Sequence, residues 1–583
     1  MTADSPRYGT PDIQVDGGDL GEEVVALLEE LIVDDHLVLP DMFEMVFRNL
    51  SGNVLEDAHL RIGSEVTIAC NGPDDAHSGQ LIKGEVTGIE GRFDDDGVFV
   101  VVRGYDKSHR LHRGRHTHTY NNVKISDVAQ QIAGDAGLSI GTIDDSGPTL
   151  DHVSLANTSH WEFLTARARE IDYEVLVLDG KFHFRKPAKA DDGPAIADDY
   201  DASTQPTQLR WGDDLIAFHP RISAAEQVGD VQVRTWDPKN KQVIVGTAQA
   251  TADHASLDDG DHTPASLAGL FDSPTYVSHH RALSVQDEAD DLADALSKQI
   301  GSAFFEADGI AHGSPKLRAG AAVSISMAGP FSGKYTLTHT RHVFDGVDGY
   351  RTHFIISGRQ DRSLLGLTSL GAANGVASLG GPPIHGMVVA QVTDNDDPDD
   401  CGRVKLKFPW LSDDYESDWA RTMMVGAGPD SGVLFYPEVN DEVLVAFEHG
   451  DVRRPYVLGP LHNGQDKPKL GDSLFDNGKV KRRGVVSRKG HRLIFFDDDS
   501  TSGIALLSSD GNLKVALDES DSEIRIHCQG KVTISTDSDK ITVQSGGDLE
   551  VTAQGQLTLQ GQQGVALKSS ATVDIDGATI TLN

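Results

Sequence analysis

The chain has 583 residues and carries 90 Asp and Glu against 51 Lys and Arg, which gives a formal net charge of −39 at pH 7. Its length predicts several domains, and no apolar run approaches the roughly 18 residues of a transmembrane helix. The acidic excess runs along the whole chain, and such a field disfavours binding to nucleic acid.

The charge also raises the hypothesis of a halophilic source, the alternative being an ordinary acidic protein kept soluble by its charge. In molar salt the Debye length falls to about 3 Å, so repulsion between carboxylates is screened. We therefore expect the fold to loosen at low ionic strength, with a melting temperature that rises between 0.1 M and 3 M KCl. An unchanged melting temperature would contradict the hypothesis.

The N-terminal part, residues 1–370, is predicted to mix strands and helices. Apolar runs predict strands at 65–69, 97–102 and 173–178, and helical spacing predicts helices at 124–136, 160–171 and 282–301. Asn157 or Ser159 is the expected N-cap of the second helix. The opening MTADSPRYGT lacks the basic and apolar regions of a secretory signal, so we expect synthesis in the cytoplasm without a signal peptide.

The next part of the chain is predicted to be a small β-barrel between two linkers. The stretch 371–383 is rich in Gly, Ser, Ala and Pro and is a predicted linker, and a second linker covers 468–486. Short strands are predicted within 384–467 at 385–392, 403–408, 419–425, 432–435, 442–448 and 455–458. This number of short strands in about eighty residues is typical of a closed barrel of the OB type.

Residues 487–583 repeat a short apolar pattern with a period of about eight residues. The two apolar residues of each pair are two positions apart, which is strand spacing, and turn residues such as Gly, Asp and Ser lie between the pairs. The pairs are Leu513/Val515, Ile524/Ile526, Val532/Ile534, Ile541/Val543, Leu549/Val551, Leu557/Leu559, Val565/Leu567 and Val573/Ile575. We predict that each unit forms one short strand and one sharp corner.

Two arrangements fit this repeat. One is a single-chain β-solenoid, although the period is shorter than most solenoid coils and the calcium-binding GGxGxDxUx pattern survives only as GGDL at 546–549. The other is a triangular prism of three chains, with the paired residues on the shared axis. Two apolar side chains per strand do not offset the entropy of ordering one chain alone, so we favour the trimer.

Two clusters of metal-ligating residue types are interpreted as structural. His109, His112, His116 and His118 are crowded, but the Arg residues between them repel a cation, which favours a solvated strand and loop. The acidic run 394–400 lacks the Gly and Glu of an EF-hand and is interpreted as a barrel loop. No metal site is therefore predicted.

The sequence predicts no catalytic or cofactor-binding residues either. It has no GxxxxGK[ST] loop for phosphates and no order of Ser, His and Asp that indicates a catalytic triad. The cysteines Cys70, Cys401 and Cys528 share no metal spacing, and we expect them to be reduced and structural.

Several motifs of the barrel segment carry a family resemblance. In order along the chain they are GRVK (402–405), FPW (408–410), WAR (419–421), PEV (437–439), DEV (441–443), FEHGD (447–451), RP (454–455) and LG (458–459). This segment resembles the OB-fold barrel of VgrG proteins and phage baseplate spike proteins. SRKGH (487–491) and FFDD (495–498) resemble the entry into the β-prism of the same family.

The N-terminal half resembles the tail-hub half of these proteins, similar to phage late-control protein D. The motifs are YNNV (120–123) with SDV (126–128), SHWEFL (159–164), YEV (173–175) and DGKFHF (179–184). The resemblance implies a mainly β fold with an α+β hub of two related β-barrel domains and helical insertions over 1–370. It also implies that an OB-fold barrel and then a trimeric triangular β-prism come after the hub along the chain.

The family resemblance implies a homotrimeric central spike of a contractile injection system. Its partners would be inner-tube, hub and baseplate proteins, and its prism would pierce the target-cell membrane. We favour an extracellular phage-tail-like particle, because a halophilic source would favour such a particle or a virus over type VI secretion machinery, which belongs to envelopes with an outer membrane; a tailed virus and type VI secretion are the alternatives. A surface β-solenoid adhesin is more distant, since it would need a signal peptide and aromatic residues, and the repeat has no Trp or Tyr.

Two departures from the family pattern matter. Some phage spikes carry a lysozyme domain between barrel and prism, but the linker 468–486 is too short for one, so we expect no enzyme activity. The given sequence stops within the repeat, so we expect a bare tip at Ile580, Leu582 and Asn583. The resemblance implies that a PAAR-type protein covers that tip.

Overall fold

The computed structural model describes residues 9–196, 205–279, 283, 285–363, 384–429, 431–470 and 474–581. The chain is mainly β and divides into two compact units after Asn463. The predicted linker 371–383 and the predicted tip residues Leu582 and Asn583 lie outside the described residues. None of the described helices is long and apolar enough to span a membrane.

The largest element of the first unit is a sheet of eleven strands. In spatial order they are Leu215–Ile222, Phe305–His312, Gly349–Ile356, His339–Asp345, Leu28–His36, Met42–Arg48, Gly97–Asp106, Gly79–Asp94, Glu65–Asn71, Thr10–Val15 and Gly18–Asp19. The strand Leu28–His36 pairs antiparallel with His339–Asp345. This pairing joins the two halves of the predicted hub into one sheet.

Alternation of apolar residues gives this sheet a buried face, as strand geometry requires. Phe43, Met45 and Phe47 are fully buried on alternate positions of one strand. Gly104 opens the space for the Phe43 ring, because a Cβ there would overlap that ring and the carbonyl oxygen of Glu85. The predicted strands at 65–69 and 97–102 are confirmed and longer than expected, since hydrogen bonding to neighbours extends them.

Four smaller sheets occur in the described part of the hub. Three of them pair His116–Val123 with Leu150–Thr158; Ser139–Ile143 with Lys181–Arg185 and Glu174–Leu178; and Asp230–Asp237 with Gln242–Gln249 and Thr275–Ser278. A further sheet holds Gln208–Arg210, Ala322–Ser326, Gly333–Thr336 and Ala255–Leu257. These strands organise the region 185–280, for which the sequence indicated no clear fold.

The helices of the hub confirm the three predicted from sequence. The α-helices are Glu22–Val25, Val54–Asp57, Ile125–Asp135, His160–Glu170, Pro264–Gly269 and Gln286–Ser302, and 3₁₀ turns span Lys107–His112, Ala190–Asp192, Gly329–Phe331 and, in the barrel, Glu448–Gly450. Ser159 caps its helix: its hydroxyl accepts from the Glu162 N–H, and the Glu162 carboxylate accepts from the Ser159 N–H. This capping box fixes the helix start.

The barrel segment contains a five-stranded sheet. Its order is Lys405–Lys407, Val388–Asp394, Glu442–Phe447, Pro455–Pro460 and Arg421–Thr422. Its core holds Val404, Leu406, Phe408, Val443 and Val445. The strand predicted at 432–435 is wrong: only Ser431–Gly432 pairs, with Ala427–Gly428.

The C-terminal unit contains an antiparallel sheet of five consecutive strands. They are Arg482–Val486, Arg492–Asp498, Thr501–Leu507, Leu513–Asp518 and Glu523–Cys528, preceded by the short ladder of Phe475–Asp476 with Lys479–Val480. Ile494, Ala505 and Ala516 are cross-strand neighbours and are buried on one face. The sheet therefore buries only small side chains and one Ile on this face.

Three buried aspartates meet beside one arginine where the two halves of the large sheet join. Arg318 donates to Asp35 at 3.1 Å, and Ser108 donates to Asp106 at 2.5 Å. Burial and the nearby carboxylates Asp35 and Asp106 raise the pKa of Asp41. Burial also raises the pKa of Asp106 to about 7. The folded hub therefore holds Asp41 and Asp106 in their protonated forms more readily than the unfolded chain does.

The raised pKa of Asp106 predicts that the contribution of this group to stability falls with rising pH. Its contribution is fully present below the unfolded pKa of about 3.9 and is lost as pH passes the folded value of about 7. In urea unfolding at several pH values in molar KCl, Asp106→Asn should reduce this slope. Asp179→Asn, an exposed partner of Arg318, is the control and should leave the slope unchanged.

Candidate functional site

The sixteen residues predicted for the prism axis are all exposed in the single chain. Between 42% and 72% of each residue's surface is accessible, which is unusual for Leu, Ile and Val. The residues are Leu513, Val515, Ile524, Ile526, Val532, Ile534, Ile541, Val543, Leu549, Val551, Leu557, Leu559, Val565, Leu567, Val573 and Ile575. So many regularly spaced, exposed apolar side chains indicate an interaction site.

The first two pairs lie on adjacent strands of the C-terminal sheet. Val515 is directly opposite Ile526, and Leu513 is opposite Cys528. They occupy the face opposite to the buried Ala516. The structure therefore brings these two pairs together within one chain, on a face that is open to solvent.

Sequence reasoning missed other members of this face. Ile504 and Leu506 continue it on the neighbouring strand, opposite Leu517 and Val515, and both are exposed. Phe495 extends it one strand further, opposite Ile504. The sequence does contain a signal for these residues, because the apolar residues in each strand are two positions apart. They were missed because the distance from these strands to the next does not follow the eight-residue period.

The pairs from Val532 onward are not brought together by the chain that carries them. The described part of 529–581 contains no strand ladder, and its one backbone–backbone hydrogen bond closes the turn from Gly561 to Gly564. A single-chain solenoid would instead pair its strands and bury these side chains. Water can satisfy the backbone N–H and C=O groups of this exposed segment in a single chain, whereas burial of the apolar pairs would require protein partners for those groups.

The barrel docks on the hub through specific polar contacts. Ser154, on a hub strand, donates to the Tyr415 hydroxyl at 3.0 Å, and both residues are buried. The His152 ring lies 3.1 Å from the carbonyl oxygen of Glu416, which also accepts from Thr119. These contacts fix the barrel to the sheet of His116–Val123 and Leu150–Thr158.

A chain of alternating charges reinforces this junction. Arg167 donates to Glu170 at 2.7 Å, Arg453 lies 3.9 Å from Glu170, and Arg453 donates to Asp451 at 2.6 Å. Burial alone would raise the pKa of Asp451, but the Arg453 guanidinium outweighs it and holds that pKa well below its usual range. The junction thus links helix His160–Glu170 to the barrel turn by largely buried ion pairs.

The four histidines that are close in sequence contact different partners in the fold. His109 contacts Glu85, His112 stacks on Trp161, and His116 stacks on His160 with ring centroids 3.8 Å apart. His118 meets the edge of Tyr120. Within the described ranges, no group of three His, Cys, Asp or Glu is arranged to hold a metal ion.

The acidic run 394–400 forms a loop organised by one of its members. Asp397 is buried and accepts the backbone N–H groups of Cys401 and Arg403, both at 3.0 Å. Hydrogen bonds from the Arg403 side chain hold the pKa of Asp397 well below its usual range. The inward-facing carboxylate of Asp397 thus ties the loop to the backbone of Cys401 and Arg403, which lead into the strand Lys405–Lys407.

The three cysteines differ in burial. Cys70 is buried in the hub core, and burial raises its thiol pKa to about 12. Cys528 is half-buried, whereas Cys401 is exposed. A packing role therefore applies clearly only to Cys70.

Two family models match the chain. Residues 388–462 match the type VI secretion system and phage-baseplate injector OB domain, which coincides with the five-stranded sheet described above. Residues 51–345 match the Alg8 N-terminal domain, and this match covers just over half of the chain.

Curated relatives with similar sequences are spike proteins of type VI secretion systems. VgrG3 of Vibrio cholerae serotype O1 is 27% identical over 135 residues, which are 22% of this chain and 13% of that protein. VgrG2a of Pseudomonas aeruginosa is 28% identical over 120 residues, 19% of this chain and 14% of that protein. The matched segments thus span well under a fifth of the length of either relative.

Similarity of fold extends over most of the chain. The structure of the Francisella PdpA–VgrG complex, half-lidded, is similar with a TM-score of 0.51 at 9% identity, covering 89% of this chain and 88% of that one. The chain therefore belongs to the family of the Alg8 N-terminal domain, carries an injector OB domain at 388–462, and is similar to VgrG-type spike proteins in sequence and in fold.

Proposed function

We propose that three copies of this chain form the central spike of a contractile injection system. The observation that carries the proposal is the periodic series of sixteen exposed apolar side chains. Three chains wound around one axis would cover these side chains and pair the backbone groups that have no partner in one chain. The curated relatives VgrG3 and VgrG2a, which are spike proteins of type VI secretion systems, support the same role.

The proposed spike acts mechanically, without chemistry of its own. The hub would join inner-tube and baseplate proteins, and the prism would transmit axial force to the target-cell membrane. The polar junction between hub and barrel supports this role, because buried hydrogen bonds and ion pairs resist relative movement of the parts that they join. Contraction of a sheath would supply the work.

We place this spike in an extracellular phage-tail-like particle, made in the cytoplasm and released. The acidic composition supports this placement through the hypothesis of a halophilic source, which would favour a released particle over type VI machinery if its envelope has no outer membrane. A type VI secretion spike is the second candidate, favoured by the names of the curated relatives. Detection of the chain in sheathed particles purified from culture medium would support the first, and detection only in cell-anchored assemblies would support the second.

A tip protein is part of the proposal. Apolar side chains of the repeat remain exposed as far as Ile580, so a prism built from them presents an apolar cross-section wherever it stops. A small PAAR-type protein would cover this surface. Co-purification of the spike with a PAAR-type protein from the same gene cluster in high salt is expected, and failure to co-purify would contradict this partner.

The test of the trimer is the molar mass of the full-length protein. Light scattering after size exclusion in molar KCl should give three times the 62.7 kDa of one chain. A mass of 62.7 kDa at all concentrations would contradict the shared-axis prism.

A further inference from the structure

A large cavity lies in the hub. Its volume is about 800 Å³, and its described walls are the helices His160–Glu170 and Gln286–Ser302 and the segments 36–40 and 355–363. Packed protein interiors leave few voids larger than a water molecule, so ordinary packing does not account for a space of this size. The volume is instead that of a binding site for a small molecule.

One wall of the cavity consists of three consecutive apolar side chains. Leu37, Val38 and Leu39 line it, remain half-buried, and belong to none of the hydrophobic cores formed by the described residues. The indole N–H of Trp161 donates to the Val38 carbonyl at 3.2 Å and holds this wall in place. Ala295, on the longer helix, also lines the cavity outside those cores. An apolar molecule in the cavity would remove these side chains from water.

The charged residues of the walls are paired. Among the described lining residues, each Asp, Glu and Arg has a partner of opposite charge. Arg169 pairs with Asp361 at 3.3 Å, for example, and burial lowers the pKa of His36 to about 4, so that its ring is neutral at pH 7. A charged ligand would lose its hydration here without gaining an unpaired counter-charge. The walls therefore fit an uncharged ligand.

Two wall residues contain buried polar atoms with no hydrogen-bond partner among the described residues. These atoms are the Thr165 hydroxyl oxygen and Nε2 of His112. His112 stacks on Trp161, which precedes Thr165 by about one helical turn, so the two residues lie in the same part of the wall. Burial lowers the pKa of His112 to about 4, so its ring is neutral as well. A hydroxyl or carbonyl group on a ligand would supply the missing hydrogen bonds.

We propose that this cavity binds an uncharged apolar molecule with a hydrocarbon chain and one hydroxyl or carbonyl group. The chain lies against Leu37, Val38 and Leu39, and the polar group lies beside Thr165 and His112. The inference does not depend on the proposed trimer, because the described lining residues all belong to the hub of one chain.

Binding of the neutral fluorophore diphenylhexatriene to the full-length protein in molar KCl tests the apolar part of the site. We expect one bound fluorophore per chain. Ala295→Phe fills the cavity and should abolish this binding. Ala225→Phe adds the same bulk at an exposed position of the hub and is the matched control, with binding unchanged. Equal binding by the two variants, or no binding by the unmodified protein, would overturn the inference.

A second variant guards against a loss of binding caused by misfolding. Leu39→Trp fills the cavity from another wall, and circular dichroism identifies which variants keep the fold of the unmodified protein. Loss of the fluorophore from the folded variants, with Ala225→Phe unaffected, supports the site. Retention of the fluorophore by a folded variant with a filled cavity overturns it.

Competition with dodecanol tests the polar end of the site. Thr165→Val keeps the shape of the side chain and removes its hydroxyl, so it should weaken the binding of dodecanol about three- to tenfold through the loss of one hydrogen bond. The affinity for diphenylhexatriene, which has no polar group, should stay the same. Equal weakening of both ligands, or no change for dodecanol, overturns the assignment of Thr165 to the polar end.

Discussion

Replacing Val543 and Val551 by Asp should convert the full-length protein from a trimer to a monomer of 62.7 kDa. On the shared axis, each substitution buries carboxylates from three chains close together, without a cationic partner. Burying an unpaired charge costs several kcal/mol per site, and the three like charges add repulsion. Light scattering in molar KCl measures the loss.

The matched control moves the same charge by one residue. Gln544→Asp with Thr552→Asp places the carboxylates on the opposite side of each short strand, which faces outward in the prism. This variant should remain trimeric. If both variants behave alike, the apolar pairs do not define the axis; if the first remains trimeric, the repeat faces outward.

Replacing Arg453 by Met should destabilise the first unit by about 3 kcal/mol, because it leaves the largely buried carboxylates of Asp451 and Glu170 without their shared cation. Urea unfolding in molar KCl measures the change. Far-ultraviolet circular dichroism follows the loss of secondary structure, and tryptophan fluorescence follows the unfolding of both hub and barrel. A coincident shift of both signals is expected, since the junction couples the two.

Two further variants identify the cause of that loss. Adding Asp451→Asn to Arg453→Met removes one unpaired charge and should restore part of the stability, by double-mutant logic. Arg115→Met breaks an exposed pair with Glu162 and should cost no more than about 1 kcal/mol. A loss equal to that of Arg115→Met would show that the buried network does not stabilise the junction.

The parts of the fold that depend on local pattern were predictable. Helix His160–Glu170 was predicted as 160–171, because its amphipathic spacing and its Ser159 cap both lie within a dozen residues. The barrel was predictable for the same reason, since its strands are short and close in sequence. The exception is the predicted strand 432–435, where only Ser431–Gly432 pairs and the apolar residues that follow remain exposed.

Long-range pairings were not predictable from periodicity. The strand Leu28–His36 joins His339–Asp345, about 300 residues further along the chain, and no local signal connects the two. The same applies to the junction of Glu170 with Arg453. For the repeat, the apolar pairs were evident from spacing alone, whereas the extension of the exposed face to Ile504 and Leu506 needed the register of the sheet.

Because the described residues 529–581 of the C-terminal repeat have no strand partners within one chain, the yield of the proposed trimer depends on expression level. In the proposed trimer, the hub and barrel of each chain hold their own cores and can fold as the chain is made, while the repeat must wait for two other copies. Its formation then depends on the cube of chain concentration, so a twofold drop in expression lowers the yield about eightfold at low occupancy. A cell that makes too little of this protein would accumulate chains with a folded hub and an unassembled C-terminal repeat, and such exposed segments are targets for proteases.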